Sequence, residues 1–232
     1  YGIEAINNLG EPAALVGHSL GEYTALCLSG YLDYKDALKV IAVRGEEMHK
    51  AVENSNTTMA AVLTGDLETT IEEIEKLNNQ GIQIWISNFN DPSQIVISSY
   101  IDDMNYLKSN PKALSAKRVI PLEVAGAFHT EIVSSAKKPL EDTLNSIDIS
   151  EGKIPVYMNV DAKKVEVSTL KESLVNQIDN SVLFNQQIEF VNNDIDPDLW
   201  CHIGPGNVTA GMVRKSISYK DLKVINSLES SK

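Results

Sequence analysis

The pentapeptide Gly17-His18-Ser19-Leu20-Gly21 restricts the possible folds of this chain more than any other stretch. The apolar run AALVG (13–17) precedes it. LGEYTALCLS (20–29) follows at once and reads as a helix with Gly30 as its stop. A strand that passes directly into a helix through G-x-S-x-G is a nucleophile elbow. Its glycines permit the tight turn and the close approach of neighbouring backbone, and the serine is forced outward at the carboxyl end of the strand. The amide of Leu20 points to the same place from a helix N-terminus, so a developing oxyanion there would meet both a donor and the positive end of a helix dipole. The competing interpretation of Ser19 is an N-capping serine in an ordinary tight turn.

The rest of the chain alternates strands and helices. A helix is expected from Tyr34 to Val52, starting after Asp33. From Met59, MAAVLT, IQIWIS, QIVISS and RVIPLEV read as strands. LETTIEEIEKLNN, with Ile71, Ile74 and Leu77 on one face, and DDMNYLKSN read as helices, and NFNDPS reads as a turn. The resulting β-α-β-β-α-β order over 59–124 is that of a ferredoxin-like split unit. Beyond Gly126 a helix is expected from Glu131 to Asn145 despite Pro139, then a strand in KIPVYMNV. Helices follow at Leu170–Ile178 and Phe184–Asn192, a strand at LWCHIG, a helix from Val208 to about Lys215, and a frayed tail at SLESSK. The fold class is therefore α/β: an α/β-hydrolase-like core with a mostly parallel sheet, formed by residues 1–58 and 125–232, interrupted by a ferredoxin-like subdomain at 59–124.

The 232 residues, 43% of them hydrophobic, can bury a sizeable core, which excludes a disordered chain or a fibre. Asp and Glu outnumber Lys and Arg 32 to 20, for a net charge of −12. That argues against a general nucleic-acid surface and against a polybasic membrane anchor. Cys27 and Cys201 have no metal-type spacing and are expected to be reduced thiols in apolar surroundings; the composition suits a cytoplasmic protein, and no metal is predicted. No signal peptide or transmembrane run is visible, and a chain that opens at Tyr1 within structured sequence is expected to lack its true beginning.

A serine nucleophile needs a general base within hydrogen-bond reach. His18 adjoins Ser19, but the elbow turns its side chain away, and His49 leans to solvent at a helix end. His129 lies after the strand RVIPLEV and the flexible Ala125-Gly126-Ala127, at the carboxyl end of a strand where open α/β sheets bind ligands. His202 is the rival, since the usual Ser-Asp-His order would pair it with Asp161 or Asp198. The sequence holds only three arginines, and Arg44 falls with Ala37, Ile41 and Met48 on the apolar stripe of its helix. A guanidinium aimed inward needs an anion, either an internal Asp or Glu or a substrate carboxylate held bidentately.

Together these residues resemble the malonyl-CoA:acyl-carrier-protein transacylase family of fatty-acid and polyketide synthesis. The resemblance runs through GHSLGEYTAL (17–26), Ala42-Val43-Arg44-Gly45 with Met48, NFNDPSQIVIS (88–98) and GAFHT (126–130). It continues through MNVDA (158–162) and HIGPGNVTAGMVRK (202–215). It implies that Ser19 is acylated, that His129 is its base, and that a main-chain carbonyl at Gln177, in VNQIDNSV, orients the histidine. It further implies that Arg44 holds the malonyl carboxylate, with Phe128 and His18 as substrate-binding neighbours and Phe128 typical of malonyl-using members. The implied substrates are malonyl-CoA and a phosphopantetheinylated acyl carrier protein, with no bound cofactor. The family pattern starts with a strand and a Gly-Gln-Gly-Ser-Gln loop whose glutamine completes the oxyanion hole. Here only the Leu20 half is expected. An acyl hydrolase acting on carrier proteins, a carboxylesterase using His202 and a non-catalytic docking domain are the alternatives. The candidate carrier-docking pairs are Lys117-Arg118, Lys137-Lys138, Lys163-Lys164 and Arg214-Lys215.

Overall fold

The computed structural model describes residues 1–217 and 221–226. The chain begins with a helix absent from the sequence reading, α1 (Gly2–Leu9), then passes through β1 (Leu15–Val16) into α2 (Gly21–Ser29). Gly30 ends α2 in the left-handed region at φ 89°, which a residue without Cβ adopts freely. In α3 (Tyr34–Val52) the Asp33 side chain caps the first turn by accepting from Lys35 N–H at 2.8 Å. The stripe predicted from its period is the buried one, with Ala37, Arg44 and Met48 inside. Helices α2 and α3 pack on α6 (Lys137–Asn145) and α7 (Val167–Asn176) around Leu26, Val40, Leu140 and Leu174.

Residues 57–121 form a separate layer. Strands β2 (Thr57–Thr64), β3 (Ile84–Asp91), β4 (Gln94–Tyr100) and β5 (Ala116–Pro121) make an antiparallel sheet in the order β3-β4-β2-β5. Helices α4 (Leu67–Asn79) and α5 (Ile101–Ser109) share its apolar cluster, through Ile74, Leu77, Met104 and Leu107. The third cluster gathers β6 (Val156–Tyr157), α8 (Phe184–Ile195), β7 (Leu199–Ile203), α9 (Val208–Ser216) and β8 (Asp221–Ile225). The chain is thus mixed α/β. Its parallel pairings, β1 with β6 and β7 with β8, are two separate ladders among the described residues and not one continuous sheet.

Several expectations are corrected. NFNDPS is mostly strand: β3 runs through Asp91 with register shifts at Ile86/Asn88 and Phe89/Asp91, leaving Pro92-Ser93 to turn. Two of its buried polar residues have side-chain partners, Asn90 in His18 and Gln94, Asp91 in Ser93 and Lys215. The helix expected at 131–145 is a 3₁₀ segment, Glu131–Ala136, followed by α6, with Pro139 in the first turn, where the missing N–H has no intrahelical partner to lose. KIPVYMNV contributes only Val156–Tyr157 to a ladder. Cys201 is exposed, not apolar-packed, because strand alternation turns its neighbour Trp200 inward. SLESSK lies outside the described residues.

Candidate active site

The elbow is built by close approach. A Cβ on Gly17 would stand 2.1 Å from the Gly21 carbonyl carbon and oxygen and 2.3 Å from Glu22 N, so only glycine fits where β1 meets α2. Ser19 itself has φ 50°, in the left-handed region, at a cost of about 1–2 kcal/mol for a residue with a side chain. Asn159, fully buried, holds that strain. Its Oδ1 accepts from Ser19 N–H at 2.7 Å, and its Nδ2 donates to the Gly17 carbonyl at 2.6 Å.

Ser19 Oγ lies 2.8 Å from His129 Nε2. On the far side of the ring, Nδ1 is 2.8 Å from the main-chain oxygen of Gln177. A carbonyl can only accept, so Nδ1 carries the proton, Nε2 offers its lone pair, and the serine hydroxyl donates to it. Arg44 Nη2 donates to the same Oγ at 2.9 Å. His129 is buried, also at positive φ (59°), at the end of the loop that follows β5. Burial first, and the Arg44 charge second, push its pKa down to about 3, so the ring is neutral and able to accept a proton across the physiological range. Gly126 lets this loop pass against α3, since a Cβ there would come within 2.5 Å of the Val52 side chain.

Arg44 is buried, as the apolar stripe implied. It makes no salt bridge with an internal carboxylate among the described residues. Nη2 also donates to Gln177 Oε1 at 2.9 Å, the guanidinium stands 5.6 Å from the Tyr23 ring centroid, and Nε has no partner among them. Gln177, named in sequence only for its carbonyl, is a hub whose Nε2 also donates to Ser19 O, Glu22 Oε2 and Asn159 Oδ1. Glu22 is wholly buried, and burial pushes its pKa up to about 8 against the hydrogen bonds from Asn159 N–H and Gln177 and the pull of Arg44. Sequence reasoning missed Glu22, Asn159 and the Gln177 side chain. The only signal was that two of them sit within motifs already singled out, GHSLGEY and MNVDA.

The remaining expected residues have other partners. His18 turns away from Ser19, as the elbow required. It bonds Asn90 at 2.9 Å and meets the Phe184 ring edge-on at 5.1 Å, and burial lowers its pKa. Phe128 is half-buried against the α2–α3 core. The Leu20 amide stands at the start of α2, and no acceptor engages it among the described residues. His202 is occupied elsewhere, with Nδ1 2.8 Å from Thr209 Oγ1. Asp161 accepts from Lys163 N–H. Neither forms a triad with Ser19. Among the described residues there is no group of three His, Cys, Asp or Glu able to hold a metal ion, and no helix long and apolar enough to cross a membrane.

A family model described as the acyl transferase domain matches residues 4–229. The chain is 37% identical over 205 residues to the malonyl CoA-acyl carrier protein transacylase of Bacillus subtilis (strain 168), covering 88% of this chain and 64% of that protein. It is 33% identical over 231 residues to the protein of the same name from Staphylococcus aureus (strain MRSA252), covering 99% of this chain and 74% of that one. A solved complex of a type II PKS acyl-carrier protein with its malonyl-transacylase superposes with a TM-score of 0.89 at 29% identity, covering 97% of this chain and 74% of that chain.

Proposed function

The chain belongs to the acyl transferase domain family, and on that premise we propose that it transfers a malonyl group from coenzyme A to the phosphopantetheine thiol of an acyl carrier protein through an acyl-Ser19 intermediate. The observation that carries this reading is the position of Ser19 Oγ between a neutral imidazole, His129 Nε2, and a buried guanidinium, Arg44 Nη2. The relatives' names supply the substrate class.

Ser19 Oγ attacks the thioester carbonyl while its proton passes to His129 Nε2. The Gln177 carbonyl keeps Nδ1–H in place and stabilises the imidazolium that forms. The negative oxygen of the tetrahedral intermediate faces the Leu20 amide and the N-terminus of α2. When the intermediate collapses, the C–S bond breaks and His129 returns its proton to the departing sulfur. The carrier thiol then repeats the sequence in reverse roles, giving its proton to His129 and releasing Ser19. Arg44 moves from Oγ to the malonyl carboxylate, which its unpartnered Nε also favours. A neutral acyl group leaves that buried cation without an anion and binds less well. Phe128 and His18 border the acyl group, and no bound cofactor takes part.

The same reading assigns residues 1–58 and 125–232 to an α/β-hydrolase-like domain and 59–124 to a ferredoxin-like one, supported by the β3-β4-β2-β5 strand order. It places the protein in the cytoplasm with its soluble substrates. For the anionic carrier, Lys117-Arg118, Lys163 and Arg214 are the better docking candidates. Lys137, Lys138, Lys164 and Lys215 are already paired with Asp179, Asp142, Asp194 and Asp91. The test is intact-mass measurement of the full-length protein after incubation with malonyl-CoA. One malonyl adduct is expected, absent from Ser19→Ala; an adduct that persists in that variant refutes the assignment.

A further inference from the structure

We propose that Glu22 is a positioning residue that fixes the orientation of the Gln177 amide and thereby sets how firmly Arg44 discriminates a malonyl from an acetyl group; the inference rests on the transacylase reading above. A glutamine side chain fits its space equally well in two orientations that exchange oxygen and nitrogen, so its neighbours decide between them. On one side of Gln177 stand three oxygens: Glu22 Oε2 at 2.6 Å, Ser19 O at 3.0 Å and Asn159 Oδ1 at 3.3 Å. On the other stands Arg44 Nη2, which can only donate, at 2.9 Å. The amide therefore turns its nitrogen to Glu22 and its oxygen to Arg44. Glu22 cannot swing away, because Asn159 N–H holds its second oxygen at 2.6 Å.

Glu22 makes no ion pair among the described residues, although it is wholly buried. A carboxyl in such a place is costly, and a glutamine would fill the same volume. What the carboxylate adds, when ionised, is that it accepts and never donates. Gln at position 22 could turn either end to Gln177, and in part of the population Gln177 would then present its NH₂ to Arg44, donor against donor. The charged groups facing Glu22 are Arg44 from α3, which favours its ionised form, and Asp161 after β6, which opposes it; Tyr23 neighbours it on α2. Burial raises Glu22 to about pH 8. Below that pH its own O–H needs an acceptor and competes with Arg44 for the Gln177 oxygen.

The test compares single-turnover acylation of the full-length protein by malonyl-CoA and by acetyl-CoA between pH 6 and 9. His129 serves both substrates, so its titration cancels in the ratio. In the unaltered protein the malonyl-to-acetyl ratio should rise with pH through about 8. Glu22→Gln should flatten that profile and lower the ratio by about tenfold to a hundredfold, the worth of a charge-assisted hydrogen bond, through malonyl KM and not kcat. Glu22→Asp should keep a pH step. A ratio that is flat in the unaltered protein and unchanged in Glu22→Gln overturns the inference. If Glu22→Gln does not fold, the profile of the unaltered protein decides alone. If Ser19 takes no malonyl group at all, the transacylase reading falls and this inference with it.

Discussion

Asn159→Leu tests whether the elbow is held by one side chain from a distant loop. Asn159 bridges the two peptide groups on either side of His18, accepting from Ser19 N–H and donating to the Gly17 carbonyl. Leucine has nearly the same volume, so no cavity follows, but both backbone groups are left buried without partners. Each such group costs about 1–3 kcal/mol, or about 2–6 kcal/mol together. For a chain of this size that lowers Tm by roughly 5–20 °C. Catalysis should suffer separately, because the left-handed Ser19 is no longer held. A displacement of about 1 Å at the nucleophile costs on the order of a hundredfold in rate. Asn159→Asp sharpens the test. Ionised aspartate sets an oxygen against the Gly17 carbonyl, whereas protonated aspartic acid can donate to it as asparagine does, so this variant should recover stability as pH falls. The assays are thermal unfolding from pH 5 to 8 and the burst of acyl-enzyme with malonyl-CoA. An Asn159→Leu protein that unfolds with the unaltered Tm and gives a full-rate burst would refute the clamp.

Three further outcomes are expected. Arg44→Met should lower kcat/KM for malonyl-CoA by at least about a hundredfold, from the loss of two charge-assisted hydrogen bonds, and change acetyl-CoA much less; an equal loss for both would show that Arg44 serves the nucleophile and not the carboxylate. His129 titrates near 6.5 when unfolded but near 3 when folded. The folded chain therefore binds fewer protons in that window, and stability present above pH 6.5 is lost as pH falls toward 3, by up to about 1.4 kcal/mol per pH unit. Denaturant unfolding at pH 7 and 5 should show a smaller loss in His129→Asn, and an unchanged loss would contradict the buried neutral ring. His202→Ala should leave the Ser19 burst within about twofold of the unaltered rate, since His202 bonds Thr209; abolition of the burst would restore the esterase alternative.

What could be read from the sequence and what could not divide along a physical line. The turn at Gly17–Gly21 was legible because its glycines answer to local sterics, and Arg44 because a 3.6-residue period forces it onto the buried face of α3. NFNDPS resists such a reading for the converse reason: polar residues buried in a strand look like turn residues until their partners are known. Periodicity left His129 and His202 as rivals. Family likeness favoured His129, and the arrangement that brings it to Ser19 is a contact across 110 residues, braced by a carbonyl 48 further on. The least legible residues are those with the most polar contacts: Asn159 reaches Ser19 across 140 residues, and Gln177 reaches Glu22 across 155. An asparagine, a glutamine and a glutamate have the composition of surface, and only closure of the fold gives them the hydrogen-bond partners that let them be buried at all. The nucleophile and the cation are thus placed by local rules. The groups that set the angle of one and the grip of the other are recruited by tertiary contact, so substitutions at Asn159, Gln177 and Glu22 should alter selectivity and pH response before they alter the fold's topology.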